Sequence, residues 1–175
     1  MRAIVVYESF FGNTRALADA IGDGLRGRFA VLVCEVSHAP TALIGINLLV
    51  VGGPIHAWTM TRELTRKVAR GQAAAAAIDP PSMGIGLREF LQGLPSTQGF
   101  VAAAAFDTAL RASGWLPTGS AARPAGRRLE ARGYRVLVKP EHFYVTATDG
   151  PLEPGELDRA RAWGIGLADA YVRAS

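Results

Sequence analysis

Residues 7–14 read "YESFFGNT", and the small and hydroxyl-bearing side chains there have the chemistry of an anion site. Gly12 lets the chain turn tightly, Asn13 and Thr14 sit where a helix would begin, and the free amides of a first helical turn point toward any anion placed there. Ser9 and Thr14 add hydroxyl donors. The same residues also describe an ordinary strand-to-helix turn in which Asn13 or Thr14 caps the helix and nothing binds. The stretch lacks both the Gly-Lys-Ser/Thr ending of a Walker loop and the dinucleotide pattern Gly-x-Gly-x-x-Gly, which counts against nucleoside triphosphates and NAD bound in their usual modes.

Two further stretches carry chemistry. In "GGPIHAWTM", Gly52 and Gly53 leave room for a ligand near the backbone, Pro54 stiffens the exit, and Trp58 is either core filler or a platform for a planar ring. His56 titrates near neutrality and could assist proton transfer, although no carboxylate accompanies it in the motif. In "AFDTAL", Asp107 either accepts a hydrogen bond from a ring N–H or caps the next turn. No Cys, His and carboxylate cluster has metal-ligand spacing.

The elements that must position these residues alternate. "RAIVVY" is a β-branched strand, and residues 13–27 carry Leu17, Ile21 and Leu25 on one helical stripe. "RFAVLVCEV" and "NLLVVGG" are second and third strands, the latter apolar enough to be covered on both faces. A helix starts near Met60 and runs through "TRELTRKVARGQAAAAA", "DPPSM" breaks it, and "GLREFLQGL" is another helical piece. "GFVAAAAF" is a fourth strand, residues 119–133 a helix, and "YRVLVKPEHFYVTA" a fifth strand interrupted or shifted at Pro140. Residues from Pro154 onward form the closing helix. Five strands separated by helices make a doubly wound parallel sheet the simplest arrangement, with ligands beyond the carboxyl ends of its strands. The loops to inspect are therefore 8–14, 53–61 and 106–118.

Composition agrees with one domain over residues 1–175, since a chain of this length with 49% apolar residues can bury a sizeable core. No uninterrupted apolar run reaches about 18 residues and no basic-then-apolar leader opens the chain, which argues against membrane span and secretion. Cys34, the lone cysteine, sits in an apolar run and reads as buried packing, suited to a reducing cytoplasm. The net charge of +4 comes almost wholly from arginines spread over several helices rather than gathered into one tract, which argues against direct nucleic-acid binding.

"IVVYESFFGNTRALADAI" resembles the N-terminal signature of flavodoxins and flavodoxin-like proteins, and "LLVVGGPIHAW" is similar to their third strand and flavin-flanking loop. "AFDT" and the two helices that follow resemble the end of the short-chain members. The resemblance covers nearly the whole chain. It implies a flavodoxin-like doubly wound five-stranded parallel sheet of order 2-1-3-4-5, helices on both faces, holding FMN non-covalently. Ser9, Phe10, Phe11, Gly12, Asn13 and Thr14 would wrap the phosphate. Pro54, Ile55, His56, Ala57 and Trp58 would cover one face of the ring, and Ala105, Phe106, Asp107 and Thr108 would approach the other face or its polar edge. The implied function is electron transfer between redox partners or onto a small acceptor such as a quinone, with an FMN-dependent reductase or a flavin-free interaction domain as alternatives.

Three departures sharpen these expectations. Phe10 and Phe11 stand where many flavodoxins carry hydroxyl residues, so they offer only backbone amides to a phosphate. The stretch after Phe106 lacks the usual Gly-Asp pair and outer-face aromatic. The chain is basic where electron-carrier flavodoxins are acidic, which disfavours positively charged reductases as partners.

Overall fold

In the computed structural model, which describes residues 1–40, 42–75, 82, 84–111 and 119–175, six strands form one parallel sheet. They are β1 Arg2–Tyr7, β2 Ala30–Glu35, β3 Leu48–Pro54, β4 Ala102–Leu110, β5 Arg135–Val136 and β6 Glu141–Val145. The helices are α1 Asn13–Leu25, α2 Glu63–Ala75, α3 Leu87–Gly93, α4 Ala122–Ala131 and α5 Glu156–Ala174. The order is β2-β1-β3-β4-β5, with β6 also paired to β4. This is the expected doubly wound sheet with its outer strand in two pieces.

The division of the outer strand has a local cause. Val136 pairs with Ala103 and Glu141 with Phe106, so four outer residues, 137–140, face only two on β4. Pro140 has no N–H to give a ladder and sits in that bulge, where such a residue is tolerated. Once β6 resumes pairing it gives β4 a partner out to Leu110 opposite Val145. The fourth strand therefore runs past the Phe106 end expected for it, and Phe106, Asp107 and Thr108 lie within a strand rather than in a loop.

Alternation along the strands sends residues to two apolar layers. Val5, Val50, Ala104 and Phe106 meet Leu17, Ile21 and Leu25 of α1 and Leu167 and Tyr171 of α5. Ile4, Val6, Leu49, Val51, Ala103 and Ala105 meet Leu87 and Leu91 of α3 and Ala125 and Leu129 of α4. Cys34 lies on the edge strand and is only half-buried, with its thiol pushed up to about 11 by desolvation. The helix expected from Met60 begins at Glu63, because Arg62 N–H donates to the Thr65 hydroxyl and holds the turn before it. Gly71 stays inside α2, while residues 76–77 of that expected helix, most of the break after it and residues 112–118 of the third loop lie outside the described residues.

Candidate functional site

A cleft of about 480 Å³ opens at the carboxyl ends of β1, β3, β4 and β6, within the roughly 300–1,000 Å³ range of small-molecule sites. Its walls are the 9–14 loop, Pro54 to Trp58, Thr108 to Arg111, Val145 and Thr148.

The first wall is built around Gly12, whose φ of 86° is the left-handed conformation that glycine adopts without a Cβ penalty. No side chain caps α1, and the first helical bond runs from Ala16 N–H to Gly12 O. Among the described residues no acceptor meets the amides of Phe10 to Arg15. Six successive N–H groups are thus open at the positive end of a helix. The ordinary capping turn is not what this loop forms. Asn13 Nδ2 donates instead to Gly150 O at 2.7 Å, tying the loop to the connection before α5, and Thr14 Oγ1 lies 3.3 Å from Thr108 Oγ1. Ser9 is 1% exposed and is one of the residues around the cleft, and its hydroxyl is buried without any hydrogen-bond partner among the described residues. Its backbone is fully engaged, with N–H donating to Ser82 Oγ at 2.9 Å and O accepting from Ser82 N–H at 3.1 Å. Phe10 is buried with its ring edge-on to His56 at 5.5 Å, while Phe11 is half-buried on the wall.

The second wall is a two-residue hairpin. His56 N–H donates to Thr59 O at 2.8 Å and Thr59 N–H to His56 O at 3.1 Å, with Ala57 at φ 46° and Trp58 at φ 70° between them. Positive φ at both central residues belongs to a type I′ turn, which normally takes Asn-Gly. Holding non-glycine residues there costs about 1–3 kcal/mol each and requires a surrounding structure that over-determines the turn. That structure is present. Ser120 N–H donates to Trp58 O at 3.1 Å, and a Cβ on Gly119 would overlap the Trp58 backbone. The indole itself is 63% exposed, so Trp58 is not core filler. Burial pushes the His56 imidazole below its ordinary range, leaving it neutral near pH 7.

Gly52 serves the core rather than a ligand, because a Cβ there would overlap the Phe106 ring. Phe106 packs against Phe143 and Trp163 and does not line the cleft. Asp107 is also off the cleft. Fully buried, it accepts from Ser120 Oγ at 2.9 Å and from Ala121 and Ala122 N–H at 2.8 Å each, so it caps α4, while its other oxygen lies 2.6 Å from His142 Nδ1. Of the four residues expected from "AFDTAL", Ala105 to Thr108, only Thr108, nearest the carboxyl end of β4, reaches the cleft, and Ala105 is buried in the layer against α3 and α4. The wall continues through Ala109, Leu110 and Arg111, which lie in the 106–118 stretch beyond the residues expected to contact a ligand. Arg111 is held over the Tyr144 ring at 4.1 Å and bonded to Glu153 at 2.6 Å.

Glu8 was also passed over, although a carboxylate closing an apolar strand is a visible signal. It is 1% exposed and accepts from Thr61 Oγ1 at 2.7 Å and Leu87 N–H at 3.1 Å. Burial pushes its carboxyl above the ordinary range, with the Thr61 and Leu87 bonds opposing the shift. Its role is to tie the end of β1 to the loop after β3 and to the start of α3, which fixes the two cleft walls relative to each other.

A parallel sheet of order 2-1-3-4-5 with a cleft beyond β1, β3 and β4 defines the flavodoxin-like fold. Solved structures agree. The chain is similar to a flavodoxin from the domain Archaea, with 20% identity, TM-score 0.65 and coverage of 98% of this chain and 99% of that one. It is similar to flavodoxin 1 from Bacillus cereus at 15% identity and TM-score 0.65, over 99% and 98% of the two chains. A flavodiiron core from Synechocystis matches at 18% identity and TM-score 0.62, over all of this chain and 37% of that one. No family model matches the sequence, and no curated protein matches it.

Proposed function

We propose that the cleft binds FMN and that the protein transfers electrons between redox partners or onto a small acceptor such as a quinone. The observation that carries this reading is the open row of amides from Phe10 to Arg15 beside the unpartnered, buried hydroxyl of Ser9. A buried hydroxyl without a partner costs free energy unless a ligand completes it, and a phosphate oxygen is the acceptor that both donors suit. Bound there, FMN would supply the redox chemistry, and the protein would supply position and electrostatics.

The chain's own residues have separable tasks in this reading. The amides of 10–15 and Ser9 Oγ hold the phosphate, so Phe10 and Phe11 contribute backbone only. Trp58 offers an exposed indole to one face of a planar ring. Ala109, Leu110 and Val145 form an apolar wall that limits water on another side. His56, neutral and without a carboxylate partner among the described residues, is poorly suited to driving proton transfer. This favours an electron carrier over a reductase with its own acid–base pair.

The test is the visible spectrum of the purified protein before and after adding FMN. A saturable, one-to-one flavin spectrum that shifts from free FMN and bleaches with dithionite is expected. Failure to take up FMN would leave the flavin-free interaction domain in its place.

A further inference from the structure

The net positive charge of the chain is not spread evenly over its two helical faces. Residues 62–75 with α3 and α4 carry eight basic and three acidic side chains, whereas α1 and α5 together carry four basic and five acidic ones. The basic side is joined directly to the cleft. Arg88 Nη2 donates to Met60 O at 2.9 Å and Nε to Thr61 O at 3.1 Å, immediately after the Trp58 turn, while Ser120 at the start of α4 holds Trp58 O on the other side. Burial first, and then the charges of Arg128 and Arg62, push the Arg88 guanidinium below its ordinary range. Arg66 reaches the same face and is paired with Glu89 at 3.0 Å.

The same segments also expose apolar side chains. Trp58 is 63% exposed, Leu64 73% and Val68 56%, and Leu64 and Val68 are four residues apart on α2, hence on one stripe. Exposed aromatic and aliphatic side chains on segments rich in arginine have the make-up of a transient protein interface.

We propose that this face, from the Trp58 turn across α2, α3 and α4, docks an acidic redox protein at the mouth of the cleft. The inference rests on the electron-transfer reading above. Charge complementarity selects the partner: a negatively charged protein is steered to the side where Trp58 opens the cleft, and a basic one is repelled from it. Basic segments that also expose Trp58, Leu64 and Val68 favour a folded protein over an extended polyanion, for which exposed apolar side chains have no use.

Binding to two protein probes tests this, acidic cytochrome b5 and basic cytochrome c, each measured with and without FMN. Wild-type protein should bind cytochrome b5, weaken by about tenfold or more between roughly 20 and 200 mM salt, and ignore cytochrome c. The combined exposed-charge reversals Arg62→Glu, Lys67→Glu and Arg127→Glu should abolish cytochrome b5 binding, confer cytochrome c binding and leave FMN uptake unchanged. The milder Arg62→Gln with Lys67→Gln should show an intermediate loss if the triple variant folds poorly. Equal binding of both cytochromes, indifference to the substitutions, or association with single-stranded DNA or phosphatidylserine vesicles in place of cytochrome b5 would overturn the proposal. Because binding is also read without FMN, loss of the flavin reading and loss of the docking surface give different results.

Discussion

Asp107 Oδ1 stands 2.6 Å from His142 Nδ1, joining β4 to β6 through a carboxylate whose other oxygen caps α4. The hydrogen bond to Asp107 raises the His142 imidazole above its ordinary value, against the opposing effect of desolvation. A base raised in the folded state stabilises the fold when protonated. Its contribution is full below the unfolded value of about 6.5 and declines as pH climbs through the higher folded value. Denaturant unfolding from about pH 6 to about pH 9 should show that decline, and His142→Gln should flatten it. His56 acts in the other window: its folded value is depressed, so stability falls as pH drops below about 6.5.

Gly52 and Phe106 form a pair in which one lacks a side chain so that the far end of the other's ring can occupy that space. Gly52→Ala should therefore cost about 1–3 kcal/mol, the range for overpacking a filled core. Equilibrium unfolding measures this. An unchanged midpoint would mean that Phe106 has another place to go.

Much of this architecture is legible in the sequence, and the misses share one cause. The helix stripe of Leu17, Ile21 and Leu25 and the apolar runs of β1 and β3 mark elements whose partners are supplied by their own faces. The end of β4 is different, because its second half exists only through pairing with β6, across a bulge no local pattern announces. That pairing turns Phe106 and Asp107 from loop residues into core and cap, and carries Ala109 to Arg111 to the cleft. Gly52, near the end of β3, departs from its expected role for a related reason. Gly52 answers to Phe106, 54 positions along in the chain and directly opposite in the sheet. Gly12, Ser9 and Trp58, by contrast, are adjacent to the turns that orient them, and they fall where their spacing puts them.

Ser9 separates binding from folding. Its hydroxyl has no partner among the described residues, so Ser9→Ala removes no hydrogen bond seen there and should leave the unfolding midpoint unchanged or slightly raised. Affinity for FMN should fall roughly tenfold to hundredfold, the worth of one hydrogen bond to a charged group. Equal losses of stability and affinity would mark Ser9 as merely structural.

The Ala57–Trp58 turn stores strain that glycine would release. Ala57→Gly should raise stability by about 1 kcal/mol, since the φ of 46° carries little steric cost without a Cβ. The same change should loosen the presentation of Trp58 and weaken flavin binding. Thermal unfolding and flavin titration on one preparation read both effects, and a gain in stability with no change in affinity would remove strain from the account of the site.

The central claim is that the amides of residues 10–15 and the Ser9 hydroxyl hold a phosphate. Parallel fluorescence titrations with FMN and with riboflavin, which differ only in that phosphate, address it most directly. Binding of FMN at least about a hundredfold tighter than riboflavin is expected from several charge-assisted hydrogen bonds acting together, whereas equal affinity for the two, or no binding of either, would contradict it.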